Sequence, residues 1–183
     1  MKSKLPLINS VLNPIAQTTK LCSAHTQLLI GNDSNIIRIM KDPAVYIQDR
    51  ALIELLYIGG LRISEALNIK CNHITKDGRV MIIGSKGSNN KIITPMINQQ
   101  YFINCSIFNI SPFYGKNRFY YYRLFKEKGL YIFRKTAENN SVTHSFRYNL
   151  VSDLRNSGID IVDIRATVGH KNIKNTLLYV NKK

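Results

Sequence analysis

The chain has 183 residues, 44% of them hydrophobic, which suits one well-formed core within the roughly 100–200 residues of a typical domain. Lysine and arginine number 26 against 11 acidic residues, and a net charge of +15 points to a polyanionic partner, nucleic acid first. Three cysteines (Cys22, Cys71 and Cys105) without short spacing indicate neither a disulfide framework nor a zinc site, and no apolar run approaches the ~18 residues of a membrane span or forms a signal peptide.

A cytoplasmic protein with no membrane association is the expectation. The basic excess is spread along the chain: residues 1–114 hold 12 basic and 6 acidic side chains, and residues 115–183 hold 14 and 5. A detachable basic tail is thereby disfavoured. A solvated basic surface is the plainer alternative.

Residues 1–43 show isolated apolar patches, Pro6, Pro14 and a turn-like run over 31–35, and read as an irregular or weakly helical N-terminal segment. From Pro43 the spacing of Val45, Ile47, Leu52, Leu55, Leu56 and Ile58 predicts a helix, with Asp42 as its cap and Pro43 at its first position. It runs into Gly59 and Gly60. A short second helix, LRISEALNI, follows. RVMIIG and KIITP are short and β-branched around a polar, glycine-containing stretch over 85–90, which predicts an antiparallel hairpin with Lys86 and Lys91 at or beside its tip.

Residues 97–139 read as mixed helix and loop, with Tyr101, Phe102, Phe113, Tyr114, Phe119, Tyr120, Tyr121, Tyr122, Phe125, Tyr131 and Phe133 taken mostly as core. Stacking on single-stranded bases is the sharper alternative. Three helices are predicted at about 143–156, 160–167 and 172–180, with Gly158 and Gly169 at the stop positions. The fold class is α+β, mainly helical, with a small antiparallel hairpin on one side.

Four elements carry chemistry. His144 and Arg147 stand three apart in a predicted helix and share a face, and an imidazole beside a guanidinium makes an anchor for phosphate. His170 follows Gly169, and Tyr179 comes nine residues later. Gly60-Leu61-Arg62-Ile63-Ser64-Glu65 and the hairpin lysine Lys86 complete the set. Each alone has an ordinary structural reading: an exposed face, a capping histidine, a packing tyrosine.

Their order and spacing resemble the tyrosine recombinase or phage integrase family over about residues 44–181. LLYIGGLRISEALNIK is similar to the family's first arginine box, which places Arg62 on the catalytic arginine and Glu65 on the supporting acid. THSFRYNLVSDLRNSGIDIVDIRATVGHKNIKNTLLYVN resembles the second box, placing His144, Arg147 and His170 on family positions and Tyr179 on the nucleophile. Lys86 falls on the family's hairpin lysine. Departures are Gly59 where threonine is usual, Tyr148 where histidine is common, and Val168 where leucine usually stands. In the hairpin, Asn89 and Asn90 replace basic residues and Pro95 falls one place late, so Lys91 is the fallback for Lys86.

The resemblance implies a catalytic domain over 44–183 that cuts and rejoins double-stranded DNA through a 3′-phosphotyrosine. Lys91, Lys171 and Lys174 would be DNA contacts. Assembly as a homotetramer on paired sites, free of cofactors and assisted by accessory DNA-bending proteins, is part of the same expectation. Relatives carry a helical clamp ahead of the catalytic region and a segment exchanged between subunits behind it; with 43 residues before and four after Tyr179, a minimal form is expected. A decayed DNA-binding relative and a type IB topoisomerase-like relaxing enzyme are the alternatives.

The chemistry can be reasoned independently. Displacing a deoxyribose oxygen concentrates negative charge on a pentacoordinate phosphorus, which calls for fixed, directional cations such as Arg62 and Arg147. A phenol of reference pKa about 10 needs a base and a cationic field to attack. His144 is the expected base, His170 a hydrogen-bond donor to phosphate, and Lys86 the acid for the departing 5′ oxygen. No carboxylate cluster of the two-metal kind is legible, so no metal is expected.

Overall fold

The computed structural model describes residues 34–84, 90–130 and 142–180, without the side chains of 142–145 and 178–180. It is mainly helical, with one two-stranded antiparallel sheet, as the periodicities predict. No helix among the described residues is long and apolar enough to cross a membrane.

The first helix, α1 (Asn35–Lys41), begins where Ser34 accepts a hydrogen bond from the Ile37 amide at 3.4 Å. It lies inside the stretch read as an irregular or weakly helical lead-in, and buries Ile36, Ile37, Ile39 and Met40. Arg38 and Lys41 occupy its last turn, where they complement the helix dipole. Pro43 ends this helix rather than opening the next, because a residue before proline is pushed out of the α region; Asp42 sits at φ −70°, ψ 114°. The Asp42 carboxylate takes the Ala44 amide at 2.9 Å, forming a local turn. The helix expected from Pro43 therefore starts four residues later.

That central helix, α2 (Ile47–Tyr57), has Ala51, Leu52, Ile53, Leu55, Leu56 and Tyr57 in the core. After it the chain turns sharply through Gly59 and Gly60. Gly60 has φ +57°, and a Cβ there would lie 2.7 Å from Leu150 Cδ2; at Gly59 it would meet the Leu55 carbonyl oxygen at 2.5 Å. The departure from threonine at 59 thus fits a backbone packed too closely for any side chain. The short α3 (Ile63–Leu67) follows, then a 3-10 turn at Cys71–His73.

Strands β1 (Val80–Ile82) and β2 (Lys91–Ile93) pair Val80 with Ile93 and Ile82 with Lys91. Val80, Ile82 and Ile93 face the core while Met81 faces out, the period of two expected of a half-buried strand. Lys86 falls in the intervening segment, outside the described residues.

Next come α4 (Gln99–Ile107) and α5 (Arg118–Glu127), the latter capped by Asn117, which accepts from the Tyr120 amide at 3.0 Å. Phe102, Phe113, Tyr121 and Phe125 are buried, and Phe125 meets Phe146 edge-on with centroids 5.0 Å apart. The core reading does not extend to Tyr114, Phe119 and Tyr122, which are exposed; Tyr131 and Phe133 lie outside the described residues. Helices α6 (Val142–Asn156), α7 (Ile161–Val168) and α8 (Ile173–Val180) match the three predicted at the C-terminal end. Cys71 and Cys105 are free thiols, and Cys22 falls outside the described residues.

One polar group pins this arrangement. The carboxylate of Glu54, wholly buried in α2, accepts from the amides of Met96, Ile97 and Asn98 at 2.6, 2.9 and 2.8 Å and from the Asn98 side chain at 2.9 Å. It satisfies the turn leading into α4 and ties it to the central helix. Removing one acceptor strands several buried donors, each costing about 1–3 kcal/mol. Glu54→Ala is therefore expected to lower unfolding free energy by about 3 kcal/mol or more, measured by urea denaturation, and a loss below 1 kcal/mol would contradict it.

Candidate active site

Arg147 is brought to the centre of the molecule by α6. Its side chain is 2% exposed, and such a charge is tolerated only with several partners. Nε donates to the Gly60 carbonyl at 2.9 Å, one terminal nitrogen lies 3.0 Å from His170 Nε2, and the other stands 3.6 Å from the Glu65 carboxylate. The left-handed turn at Gly60 presents that carbonyl, so the glycine pair before Arg62 has a direct part in the site.

Glu65 links the two arginines. Arg62 donates to it from its side chain at 2.9 Å and from its backbone amide at 2.8 Å, closing a capping arrangement at the start of α3. The carboxylate is nearly buried, whereas the Arg62 side chain keeps about a third of its surface open, at 30%. Arg62 is thus the solvent-facing edge of the cluster and Arg147 its floor.

His170 follows Gly169, which closes α7 in the left-handed conformation at φ 75°. The imidazole is buried, and its Nδ1 lies 3.0 Å from Thr176 Oγ1 on α8. Burial, then the charges of Arg147, Arg62 and Lys91, push its pKa down to about 4, with Glu65 opposing them. A guanidinium only donates, so here Nε2 accepts from Arg147. The nitrogen expected to face phosphate is thus the one that faces the arginine in this structure.

Lys91 on β2 also faces inward. Its ammonium donates to the Gly59 carbonyl and, at 3.1 Å, to the Thr167 carbonyl. It joins the sheet, the arginine turn and the end of α7, a role that its place beside the hairpin tip did not suggest. Lys171 and Lys174 are exposed around the start of α8, where a lysine is free to meet a ligand surface.

His144 lies in the first turns of α6, three residues before Arg147, and Tyr179 lies in α8, three after Thr176; neither side chain is among those described. Arg62, Glu65, Arg147, His170 and Lys91 come together in space. The residue missed by sequence reasoning is Thr176. Its signal was present: a hydroxyl on the apolar stripe of NTLLYV, six residues after His170.

Residues 32–104 match the model of the phage integrase family. The chain is 26% identical over 149 residues to tyrosine recombinase XerD of Corynebacterium glutamicum, covering 75% of this chain and 49% of that protein. It is 32% identical over 152 residues to tyrosine recombinase XerC of Rickettsia canadensis, covering 74% and 47%. The chain carries a tyrosine recombinase catalytic domain of the phage integrase family. In fold it is similar to the crystal structure of XerA recombinase, with a TM-score of 0.58 and 15% identity, over 83% of this chain and 60% of that one. It spans about half the length of the XerC and XerD relatives.

A histidine whose folded pKa lies below its unfolded value takes up its proton more readily when unfolded. Stability is then complete above the unfolded pKa of 6.5 and falls as pH drops towards the folded value of about 4, since the unfolded state binds the extra proton across that window. The difference in unfolding free energy between the wild type and His170→Asn is expected to shrink by up to about 3 kcal/mol between pH 7 and pH 4. Urea titrations at several pH values measure it, and a difference independent of pH would contradict it.

Proposed function

We propose that this chain is a site-specific DNA recombinase that cleaves and rejoins strands through a 3′-phosphotyrosyl intermediate at Tyr179. The observation that carries the reading is the convergence of Arg62, Glu65, Arg147 and His170 into one cationic cluster whose Arg62 edge is open to solvent, drawn from segments far apart in sequence.

Arg62 and Arg147 hold the non-bridging oxygens of the scissile phosphate and gain strength as charge builds there. The Tyr179 oxygen attacks phosphorus and its proton passes to His144; the bond to the 5′ oxygen breaks, and Lys86 protonates that oxygen. A 5′ hydroxyl from a second strand reverses the same steps, so bond energy is conserved without a nucleotide cofactor or metal. His170 first accepts from Arg147, and when the guanidinium turns to phosphate its Nε2 is released to face the same anion. Lys91, bonded to two carbonyls, serves here as a strut between the arginine turn and α7 instead of as the acid.

Double-stranded DNA is the partner, with Lys171 and Lys174 contacting its phosphates from the exposed start of α8. The catalytic domain spans residues 44–183 with α1 packed against it. Assembly is as a homotetramer on paired sites, aided by accessory DNA-bending proteins, in the cytoplasm.

Nicked duplexes made from the DNA flanking the gene test the reaction. The wild type should form a covalent protein–DNA adduct that Tyr179→Phe abolishes while binding stays nearly unchanged. An adduct surviving that substitution would reject the assignment, and relaxation of plasmids lacking such sites would favour a topoisomerase instead. Separately, replacing Lys171 or Lys174 by alanine should flatten the dependence of log K on log salt by about 0.9 for each phosphate contact removed. An unchanged slope in the double variant would remove both lysines from the interface.

A further inference from the structure

Thr176 is completely buried, one turn ahead of Tyr179 on α8. Its hydroxyl oxygen stands 3.0 Å from Nδ1 of His170, while the other ring nitrogen stands 3.0 Å from Arg147. Because the guanidinium can only donate, the neutral ring carries its hydrogen on Nδ1 and gives it to Thr176. That tautomer cannot donate from Nε2 to a phosphate. Once Arg147 turns to an anion, Nε2 carries a hydrogen in only two states of the ring: the other neutral tautomer, in which Nδ1 must accept, or the imidazolium, in which Nδ1 must donate. A hydroxyl both gives and takes a hydrogen bond, so Thr176 can follow the ring through either change.

We propose that Thr176 is a positioning residue that holds His170 through its tautomer or protonation change and ties the seating of the Tyr179 helix to the readiness of the phosphate pocket. The proposal rests on the recombinase reading above. Its geometry is specific: the hydrogen bond joins α8 directly to the loop after α7, so α8 must be docked for His170 to be held. A nucleophile helix displaced from its place would leave the pocket with a less constrained imidazole. Strand cleavage would then be confined to subunits in which α8 is seated.

Two substitutions separate this role from packing. Thr176→Val keeps the shape and loses the oxygen; Thr176→Ser keeps the oxygen and loses a methyl group. If the threonine merely fills space, serine is the more damaging change. If its hydroxyl positions His170, valine should slow adduct formation on nicked flanking DNA by about 10- to 100-fold, the scale of losses when the partner of a metal-bound histidine is removed. DNA affinity should be little changed, and serine should restore most of the rate.

The second measurement needs no activity: 15N NMR of the histidine rings in the DNA-free protein. The wild type and Thr176→Ser should show His170 protonated on Nδ1 with a slowly exchanging ring hydrogen, and Thr176→Val should lose that protection. Valine cleaving at the wild-type rate, serine failing as badly as valine, or a ring hydrogen unaffected by valine would each overturn the proposal. A wild type that forms no adduct would instead reject the recombinase reading, leaving the NMR comparison to decide the Thr176–His170 bond.

Discussion

The burial of Arg147 is the constraint around which the site is arranged. Transferring a guanidinium into the interior costs several kcal/mol unless it is compensated, and here the Gly60 carbonyl and the His170 ring accept hydrogen bonds from it while the Glu65 carboxylate stands 3.6 Å from its remaining nitrogen as an ion-pair partner. Each partner is itself held. Gly60 needs its left-handed backbone, Glu65 is gripped by Arg62 from two sides, and His170 is bonded to Thr176. The arginine is consequently held in the centre of the site before any ligand arrives, so only its guanidinium need turn to meet an anion.

The charge balance of this cluster points the same way. Among the described residues, Arg62, Arg147 and Lys91 bring three cations to a region where Glu65 is the carboxylate paired with both arginines, and His170 is held neutral by burial and by those cations. A further proton is unfavourable there. An anion is favourable, because it would neutralise the surplus and make the imidazolium easier to form. The depressed histidine pKa and the attraction of the cluster for an anion thus have one electrostatic origin.

Much of this was legible in the sequence. Helix periodicity and glycine stops located the three C-terminal helices, the period of two located the strands, and motif order brought Arg62, Glu65, Arg147 and His170 to one site. What escaped depended on tertiary partners. Asp42-Pro43 looked like a helix start because the same residues serve as a helix stop, and only the packing of the isoleucines in α1 distinguishes the two. Glu54 sits among apolar residues with no local partner, and its four donors lie more than 40 residues away. Lys91 reads as a hairpin-tip cation until the carbonyls of Gly59 and Thr167 are seen beside it. Tyr114, Phe119 and Tyr122 have the composition of core residues, yet face solvent because their neighbours on the same segments fill the available interior.

The long sequence separations have a consequence for how the site forms. Arg147 and Gly60 are 87 residues apart, Lys91 and Thr167 76 residues apart, so closing these contacts requires the α2 to α4 part and the α6 to α8 part to pack first. Local helices can form before that point, but the cluster cannot. Because His170 and Thr176 lie only six residues apart, their contact depends instead on the angle between α7 and α8, which the left-handed turn at Gly169 sets. The arginine cluster is therefore built on long-range contacts, while its connection to the Tyr179 helix passes through one short turn. A rearrangement of α8 could alter that connection without dismantling the paired arginines.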